Sequence, residues 1–155
     1  MERSKLKWEA IVEITVFDLS GNVTGYTRFR NAIHNVGFNM VRNLLKGDIA
    51  DGEIKYLAVG DSSAAIDVTD TTLTNETSRK QVTTKTAGAT GILVTETYLA
   101  PADAVGAIEE LGWFAGVDAD ADKDHGIMIS RVLYSRVKTN LESIMVKRTD
   151  TISVV

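Results

Sequence analysis

The chain has 155 residues, the usual length of one domain, with a net charge of −4 and no cysteine. Disulfides, thiol nucleophiles and cysteine-bound metals are therefore excluded, and two histidines are too few for a multi-histidine metal site in one chain. The acidic balance predicts no direct nucleic-acid contact, and the absence of a signal-peptide core or of an apolar run near the roughly 20 residues that span a bilayer predicts a soluble product made in a cytoplasm.

The first predicted elements are a β-hairpin and an amphipathic helix. Apolar and polar residues alternate on both sides of the turn signal Ser20-Gly21-Asn22, so residues 6–30 are predicted to form the hairpin. The apolar spacing then changes to that of a helix over residues 35–46. Asn35 is the predicted N-cap, and Gly47 is placed to end the helix in a left-handed conformation.

A polar loop rich in Asp, Thr and Ser follows the next strand and covers residues 61–78. We expect Glu76 and Arg79 to anchor the end of this loop. Each of them is predicted to pair with the other, or with Glu110 or Lys138. The pair would fix the path of the loop, and the loop is expected to make contact between subunits.

The remaining pattern is that of a β-rich protein. Threonine, valine and glycine are abundant and there is a single proline, which suits strands joined by tight turns. Further strands are predicted over residues 53–59, 80–85, 92–100, 107–114, 127–138 and 144–154. The expected fold is mainly β: one domain over residues 1–155, built as an antiparallel β-sandwich or open barrel of about eight strands with one α-helix.

One local motif suggests catalysis. Gly60-Asp61-Ser62 follows a strand and resembles the nucleophile block of the GDSL serine hydrolases, in which Ser62 would attack, His125 would act as base and Asp122 would orient the imidazole. That family needs a helix after the serine and a Gly-x-Asn-Asp block, and neither is found in this sequence. We therefore expect no enzyme activity, and we interpret Asp61 and Ser62 as turn residues.

An acidic segment near residue 120 suggests calcium. An EF-hand loop that begins at Asp118 needs glycine at its sixth position and glutamate at its twelfth, where this chain has Lys123 and Ile129. A solvated hairpin loop without a metal is the prediction, and weak calcium binding by residues 118–124 is left open as the alternative.

The adjacent aromatic residues Trp113 and Phe114 allow two interpretations. Large aromatic side chains are most often buried, so both are predicted to lie in the core. An exposed pair would instead provide an aromatic anchor for a subunit interface.

Several short motifs occur in an order that resembles small virion proteins of tailed bacteriophages, including the N-terminal domains of tail-collar fibre proteins. The motifs are Asn35-Val36-Gly37, Leu57-Ala58-Val59-Gly60-Asp61, Thr71-Thr72-Leu73 with Glu76 and Arg79, Glu110-Leu111-Gly112-Trp113-Phe114, and Val137-Lys138. They cover the chain from about residue 31 to residue 150.

The resemblance implies a structural subunit of the tail, neck, collar or baseplate. Such a protein would be made in the host cytoplasm, would assemble with copies of itself and with other virion proteins, and would need no cofactor or membrane. A capsid decoration protein or an adhesin-like binding module is the alternative. The candidate assembly and loop-anchor residues are Asp61, Leu73, Glu76, Arg79, Glu110, Gly112, Trp113, Phe114 and Lys138.

Overall fold

The computed structural model describes residues 4–155, which form two antiparallel sheets and one helix. The elements in chain order are β1 (Leu6–Asp18), β2 (Val23–Asn31), α1 (Asn35–Lys46), β3 (Ile54–Gly60), β4 (Glu76–Gln81), β5 (Thr84–Ala87), β6 (Ile92–Leu99), β7 (Gly106–Ala115), β8 (Ile127–Lys138) and β9 (Glu142–Val154). The large sheet has the strand order β2-β1-β9-β6-β5, and the small sheet has the order β4-β3-β7-β8. The predicted mainly-β sandwich with one helix is confirmed, with nine strands among these residues where about eight were expected.

The core lies between the two sheets and follows from the alternation along β1. Val12, Ile14 and Val16 point from the large sheet toward the small one and are buried. They meet Leu57 of β3 and Trp113 of β7. Burying a side chain of this size contributes about 1.5–3 kcal/mol, so the alternation that predicts the strand also supplies the packing energy of the sandwich. The same alternation continues along β9, which pairs with β1 over its full length.

The predicted hairpin and helix are both present. β1 and β2 pair antiparallel, and Gly47 ends the helix with a φ of 82°. The predicted N-cap is wrong by one residue, because His34 is the cap and Asn35 is already helical. The backbone N–H of His34 donates to the carbonyl of Ile129 in β8 at 2.8 Å, and this tertiary bond holds His34 in an extended conformation. Packing against the small sheet therefore determines which residue caps the helix, and the general preference for asparagine as N-cap does not.

The single exposed strand predicted over residues 80–85 is wrong. The chain instead crosses from the small sheet to the large one between β4 and β5. Val82 donates its N–H to the Lys55 carbonyl of β3, and Thr83 donates to the Glu96 carbonyl of β6, each at 2.8 Å. Alternation is weak over this segment because its two halves belong to different sheets and bury different faces.

The other predicted element boundaries differ less from those in the structure. β4 begins at Glu76, so the polar loop occupies residues 61–75 and not 61–78. The remaining predicted strands are present with ends shifted by a residue or two. No helix within residues 4–155 is long and apolar enough to cross a membrane.

Candidate functional site: two clamped loops on the outer face of the small sheet

The small sheet carries a second, smaller apolar cluster on the face that points away from the core. Ala58 of β3, Phe114 of β7 and Met128 of β8 form its floor. Leu73 and Ala119 cover it. Leu73 belongs to residues 61–75, called here the anchored loop, and Ala119 belongs to residues 116–126, called here the Asp-rich loop. Both loops are thus packed on the sheet and do not extend freely into solvent.

A buried ion pair fixes both ends of the anchored loop. Arg131 of β8 and Glu110 of β7 are both fully buried, with 2.6 Å between the Arg131 Nε and the Glu110 Oε2. At the start of the loop, Arg131 donates from Nη2 to the Ala64 carbonyl at 2.9 Å. At its end, the Glu110 carboxylate accepts the backbone N–H groups of Thr74 at 3.1 Å and Asn75 at 2.8 Å.

The base of the anchored loop is closed by Asp61 and Asn75. The Asn75 side-chain amide donates to the Asp61 carboxylate at 2.6 Å, and the Asp61 N–H donates to the Asn75 carbonyl at 3.2 Å. Gly60 makes this approach possible, because a Cβ there would overlap the Glu110 carboxylate and lie 2.6 Å from the Asn75 carbonyl oxygen. Asp61 and Asn75 therefore close the base of the anchored loop together, and the sequence pattern does not identify Asn75 as the partner.

Gly112 provides the space that Leu73 occupies, and this supports a testable expectation. A Cβ on Gly112 would lie 2.8 Å from Leu73 Cδ2 and 3.2 Å from Met128 Sδ. We expect Gly112→Ala to lower the free energy of unfolding by about 1–3 kcal/mol, because overpacking displaces well-packed neighbours. Urea denaturation measures this. The matched control is Gly25→Ala in β2, whose new Cβ would come no closer than 3.5 Å to a neighbour; equal effects of the two substitutions would contradict the prediction.

Glu76 and Arg79 pair with each other, as one of the predicted alternatives states, and not with Glu110 or Lys138. The contact is bidentate, with Nε–Oε2 at 2.7 Å and Nη2–Oε1 at 2.8 Å, and both side chains are at most 3% exposed. The Arg79 guanidinium also lies over the Phe114 ring at 4.4 Å from its centroid. A planar guanidinium between a carboxylate and an aromatic face has one well-defined position.

The loop that this pair holds is the Asp-rich loop. Arg79 donates from Nη1 to the carbonyls of Asp120 and His125, each at 2.9 Å. The Glu76 carboxylate accepts the Asp124 N–H at 3.2 Å. The prediction that Glu76 and Arg79 anchor the loop before them therefore needs correction, since they fix the Asp-rich loop while Glu110 and Arg131 fix the anchored loop.

Three exposed side chains of the Asp-rich loop bring their ligand atoms together. The relevant atoms of Asp120, Asp122 and His125 lie within 4.8 Å of one another, the spacing of a small cation site. Asp118 and Asp124 are not members of this group, so the four alternate aspartates do not converge as a calcium loop would require. The Asp120 carboxylate accepts a hydrogen bond from the imidazole, with 3.1 Å between Asp120 Oδ2 and His125 Nδ1.

This contact predicts a pH dependence. The hydrogen bond and charge of Asp120 raise the pKa of His125, and the same bond lowers the pKa of Asp120. The stabilisation from His125 is therefore fully present below its unfolded pKa of about 6.5 and is lost as the pH rises through the folded value. We expect His125→Asn to lower the melting temperature at about pH 5.5 but to leave it unchanged at about pH 8.5. A calorimetric series that finds the same difference at both pH values would contradict this.

The serine hydrolase arrangement is not assembled. The Ser62 hydroxyl accepts the Ala64 N–H at 3.2 Å, as in a turn, and residues 63–72 contain no helix. His125 contacts Asp120, while its predicted partner Asp122 is 3.9 Å away. Within residues 4–155 no hydrogen bond joins Ser62 to His125.

The other predicted site residues lie elsewhere. Trp113 is buried on the inner face of the small sheet, 4.9 Å below the Arg148 guanidinium, and Phe114 is buried on the outer face. The interpretation of the two as an exposed aromatic interface is therefore wrong. Lys138 is buried at the end of β8, where it donates to the carbonyls of Ala100 and Pro101 at 2.9 Å, and its burial lowers its pKa.

Arg131 is the residue that sequence reasoning missed. Its position suggested the same face as Ile127 and Ile129, which pack in the main core. A register shift between β7 and β8 near Phe114 interrupts the alternation of faces along β8. As a result, Met128 and Arg131 both lie on the outer face of the small sheet. An arginine within an apolar strand pattern was the available signal, because a buried arginine needs an acidic partner.

Comparisons with protein-family models, with curated proteins and with solved structures find no match for this chain.

Proposed function

We propose that the protein is a structural subunit of a tailed-phage virion, made in the host cytoplasm and assembled as a homo-oligomer in the tail, neck, collar or baseplate. Its partners in this proposal are copies of itself and other virion proteins, and no catalysis or cofactor is involved. The ordered motifs described above support the phage assignment. The observation that carries the assembly assignment is a pair of long edge strands on the same side of the sandwich, neither of which pairs with a further strand among residues 4–155.

The open side is formed by β2 and β8. These are edge strands of different sheets, and Gly25 of β2 lies beside the Arg136 guanidinium of β8. The first half of β8 is covered by the start of α1, where Gly37 packs against the backbone of Ile129. The second half lies beside β2 at Arg136 and carries exposed apolar side chains, among them Val137 at 72% exposure. An uncovered strand edge with apolar side chains pairs readily with another chain, and repeated pairing about an axis closes a ring.

The opposite side of the sandwich does not offer such an edge. There the chain itself passes from β4 to β5, and the hydrogen bonds of Val82 and Thr83 join it to both sheets. β5 is only four residues long. Short edges are one of the ways in which β proteins prevent unwanted pairing. One open side and one closed side favour defined contacts over indiscriminate aggregation.

The experiment combines solution mass with particle imaging. Native mass spectrometry is expected to show a discrete multimer, and antibody labelling is expected to place the protein on virions. Val137→Lys should shift the multimer toward monomer because a charge on this edge strand opposes pairing. Leu45→Lys, at an 85% exposed position of α1, is the control and should leave the multimer unchanged.

A wild-type protein that stays monomeric at high concentration and is absent from particles would overturn the proposal. The copy number per particle distinguishes the proposed function from the alternative of capsid decoration. A copy number in the hundreds per particle would indicate capsid decoration, and a count equal to one or two small rings would indicate the neck or tail.

A further inference from the structure

A hollow of about 500 Å³ lies on the large sheet at the point where β2 ends. β1 pairs with β9 from Leu6 onward, but it pairs with β2 only from Ala10 onward. Among residues 4–155, the first residues of β1 therefore have no strand beside them on the β2 side. Trp8 and Glu9 of this unpaired segment line the hollow. The hollow is thus the space left where β2 stops and β1 continues.

Five side chains with hydrogen-bonding groups line this hollow. They are Glu9 of β1, Arg30 and Asn31 at the end of β2, and Thr149 and Thr151 of β9. Glu9 lies opposite Thr151, and in the next row Ile11 lies between Arg30 and Thr149. The core positions of β1 alternate with Glu9 and Ile11, so both rows lie on the outer face of the large sheet. The hollow therefore extends across three strands and does not follow a single edge.

The lining offers hydrogen-bond donors together with an acceptor. Asn31 is 7% exposed, and its side-chain Nδ2 has no hydrogen-bond partner among residues 4–155. A buried donor without a partner is costly, so a ligand that accepts from it gains affinity. Glu9 Oε1 lies 2.7 Å from the Lys7 ammonium. Because a carboxylate accepts about four hydrogen bonds, Glu9 retains acceptor capacity.

Arg30 supplies further donors at the exposed rim of the hollow. The pKa of Glu9 is lowered mainly by the hydrogen bond from Lys7, and the charge of Arg30 contributes less. Arg30 thus acts on Glu9 through its charge, while Lys7 makes the ion pair. The guanidinium keeps donors for a ligand, since it carries several N–H groups in a fixed plane.

This combination of groups favours a ligand that both donates and accepts hydrogen bonds. A simple anion would accept from Arg30 and Asn31, but the Glu9 carboxylate would repel it. An added β-strand would lie beside β1 and would not reach Thr149, which lies beyond β1 on β9. Hydroxyl groups both donate and accept, and a ring that carries several of them can span both rows. The volume is within the range of about 300–1,000 Å³ that is usual for small-molecule sites.

We propose that this hollow is a saccharide-binding site, with one sugar ring lying across β2, β1 and β9. Arg30 and Asn31 donate to its oxygens, Glu9 accepts from a hydroxyl, and the hydroxyls of Thr149 and Thr151 complete the contacts. The site lies on the large sheet, away from the two clamped loops of the small sheet. It does not depend on the proposed virion function.

NMR titration of the isotope-labelled protein tests the site. The probes are D-glucose, D-galactose, D-mannose and N-acetyl-D-glucosamine, each added to about 50 mM so that a millimolar dissociation constant is detected. At least one sugar is expected to shift the amides of residues 9–11, 30–31 and 149–151 in a saturable manner. Arg30→Ala and Thr149→Val should each weaken its binding by about fivefold to tenfold, the effect of one lost hydrogen bond. Arg28→Ala, the control, removes an exposed arginine of β2 outside the hollow and should leave the affinity unchanged.

The absence of saturable shifts with all four sugars would overturn the proposal. Sodium acetate, sodium phosphate and the peptide Thr-Val-Thr-Val-Thr form separate arms of the titration. Shifts of the same amides by an anion or by the peptide, and by no sugar, would indicate an anion site or an added strand and would also contradict it. Equal losses of affinity in Arg28→Ala and Arg30→Ala would place the sugar outside the hollow. If Thr149→Val disturbs the fold of β9, the exposed substitution Arg30→Ala decides alone.

Discussion

Replacing Arg131 with methionine is expected to lower the free energy of unfolding by about 3–5 kcal/mol, because it leaves the Glu110 carboxylate buried without its partner. Methionine fills much of the volume, so the cost comes mainly from the unpaired charge and less from a cavity. The anchored loop also loses the donor that holds the Ala64 carbonyl. Urea denaturation gives the stability change, and faster hydrogen exchange over residues 61–75 is expected with it.

Two further variants isolate the charge effect. Arg28→Met replaces an exposed arginine of β2 and should change stability by no more than about 0.5 kcal/mol. The double variant Glu110→Gln with Arg131→Met removes both charges but keeps an acceptor for the Thr74 and Asn75 amides. It should be more stable than Arg131→Met alone, since the buried carboxylate is gone. If Arg131→Met behaves like Arg28→Met, the ion pair does not hold the loop.

Sequence patterns were sufficient for most of the fold because they act over short distances. The alternation along β1 and the change to helical spacing at residue 35 are local signals, and each predicted its element within a residue or two. Gly47 was predicted as the cap because only a left-handed residue fits there. The segment over residues 80–85 failed because two sheets share it. Which sheet a residue joins is a tertiary property that short-range alternation does not contain.

The residues of the candidate site were predicted better than the contacts that they make. Glu76, Arg79 and Glu110 do lie on one sheet face, but the predicted assignment of Glu76 and Arg79 to the preceding loop was wrong. The carbonyls of Asp120 and His125, to which Arg79 donates, lie 41 and 46 residues away in sequence. Every residue has a backbone carbonyl, so the residue type at a position does not indicate that its carbonyl accepts a hydrogen bond from a distant side chain. Arg131 was hidden by a register shift, which depends on how β7 and β8 pair.

A loop held in this way suits a contact role in the proposed assembly. The anchored loop presents Ile66 and Val68 to solvent at about 40% exposure, while its base is fixed by buried charges. Binding to a neighbour orders side chains and loops at a cost, and a loop that is already fixed avoids much of it. On this argument the buried ion pairs act in assembly by preorganising the surface, although they do not touch the partner.

The same argument predicts a large effect for Arg79→Ala, which we expect to lower the free energy of unfolding by about 3–5 kcal/mol. The substitution leaves the buried Glu76 carboxylate unpaired and exposes the Phe114 face that the guanidinium covers. Because Arg79 also binds the carbonyls of Asp120 and His125, the Asp-rich loop should lose protection in hydrogen exchange while the anchored loop keeps it. Arg131→Met should show the reverse order.

Lys80→Ala is the matched control for Arg79→Ala. Lys80 is the next residue along β4 and pairs with Asp103 at 2.8 Å, but its side chain is 42% exposed. An exposed pair of this kind contributes about 0–1 kcal/mol, because water screens the charges and the long side chain loses entropy when held. A difference of several kcal/mol in the free energy of unfolding between these two variants would show that burial determines how strongly each ion pair holds its loop. Equal effects would mean that the Glu76–Arg79 pair does not fix the Asp-rich loop, and that the small sheet holds it through the apolar contact of Ala119 alone.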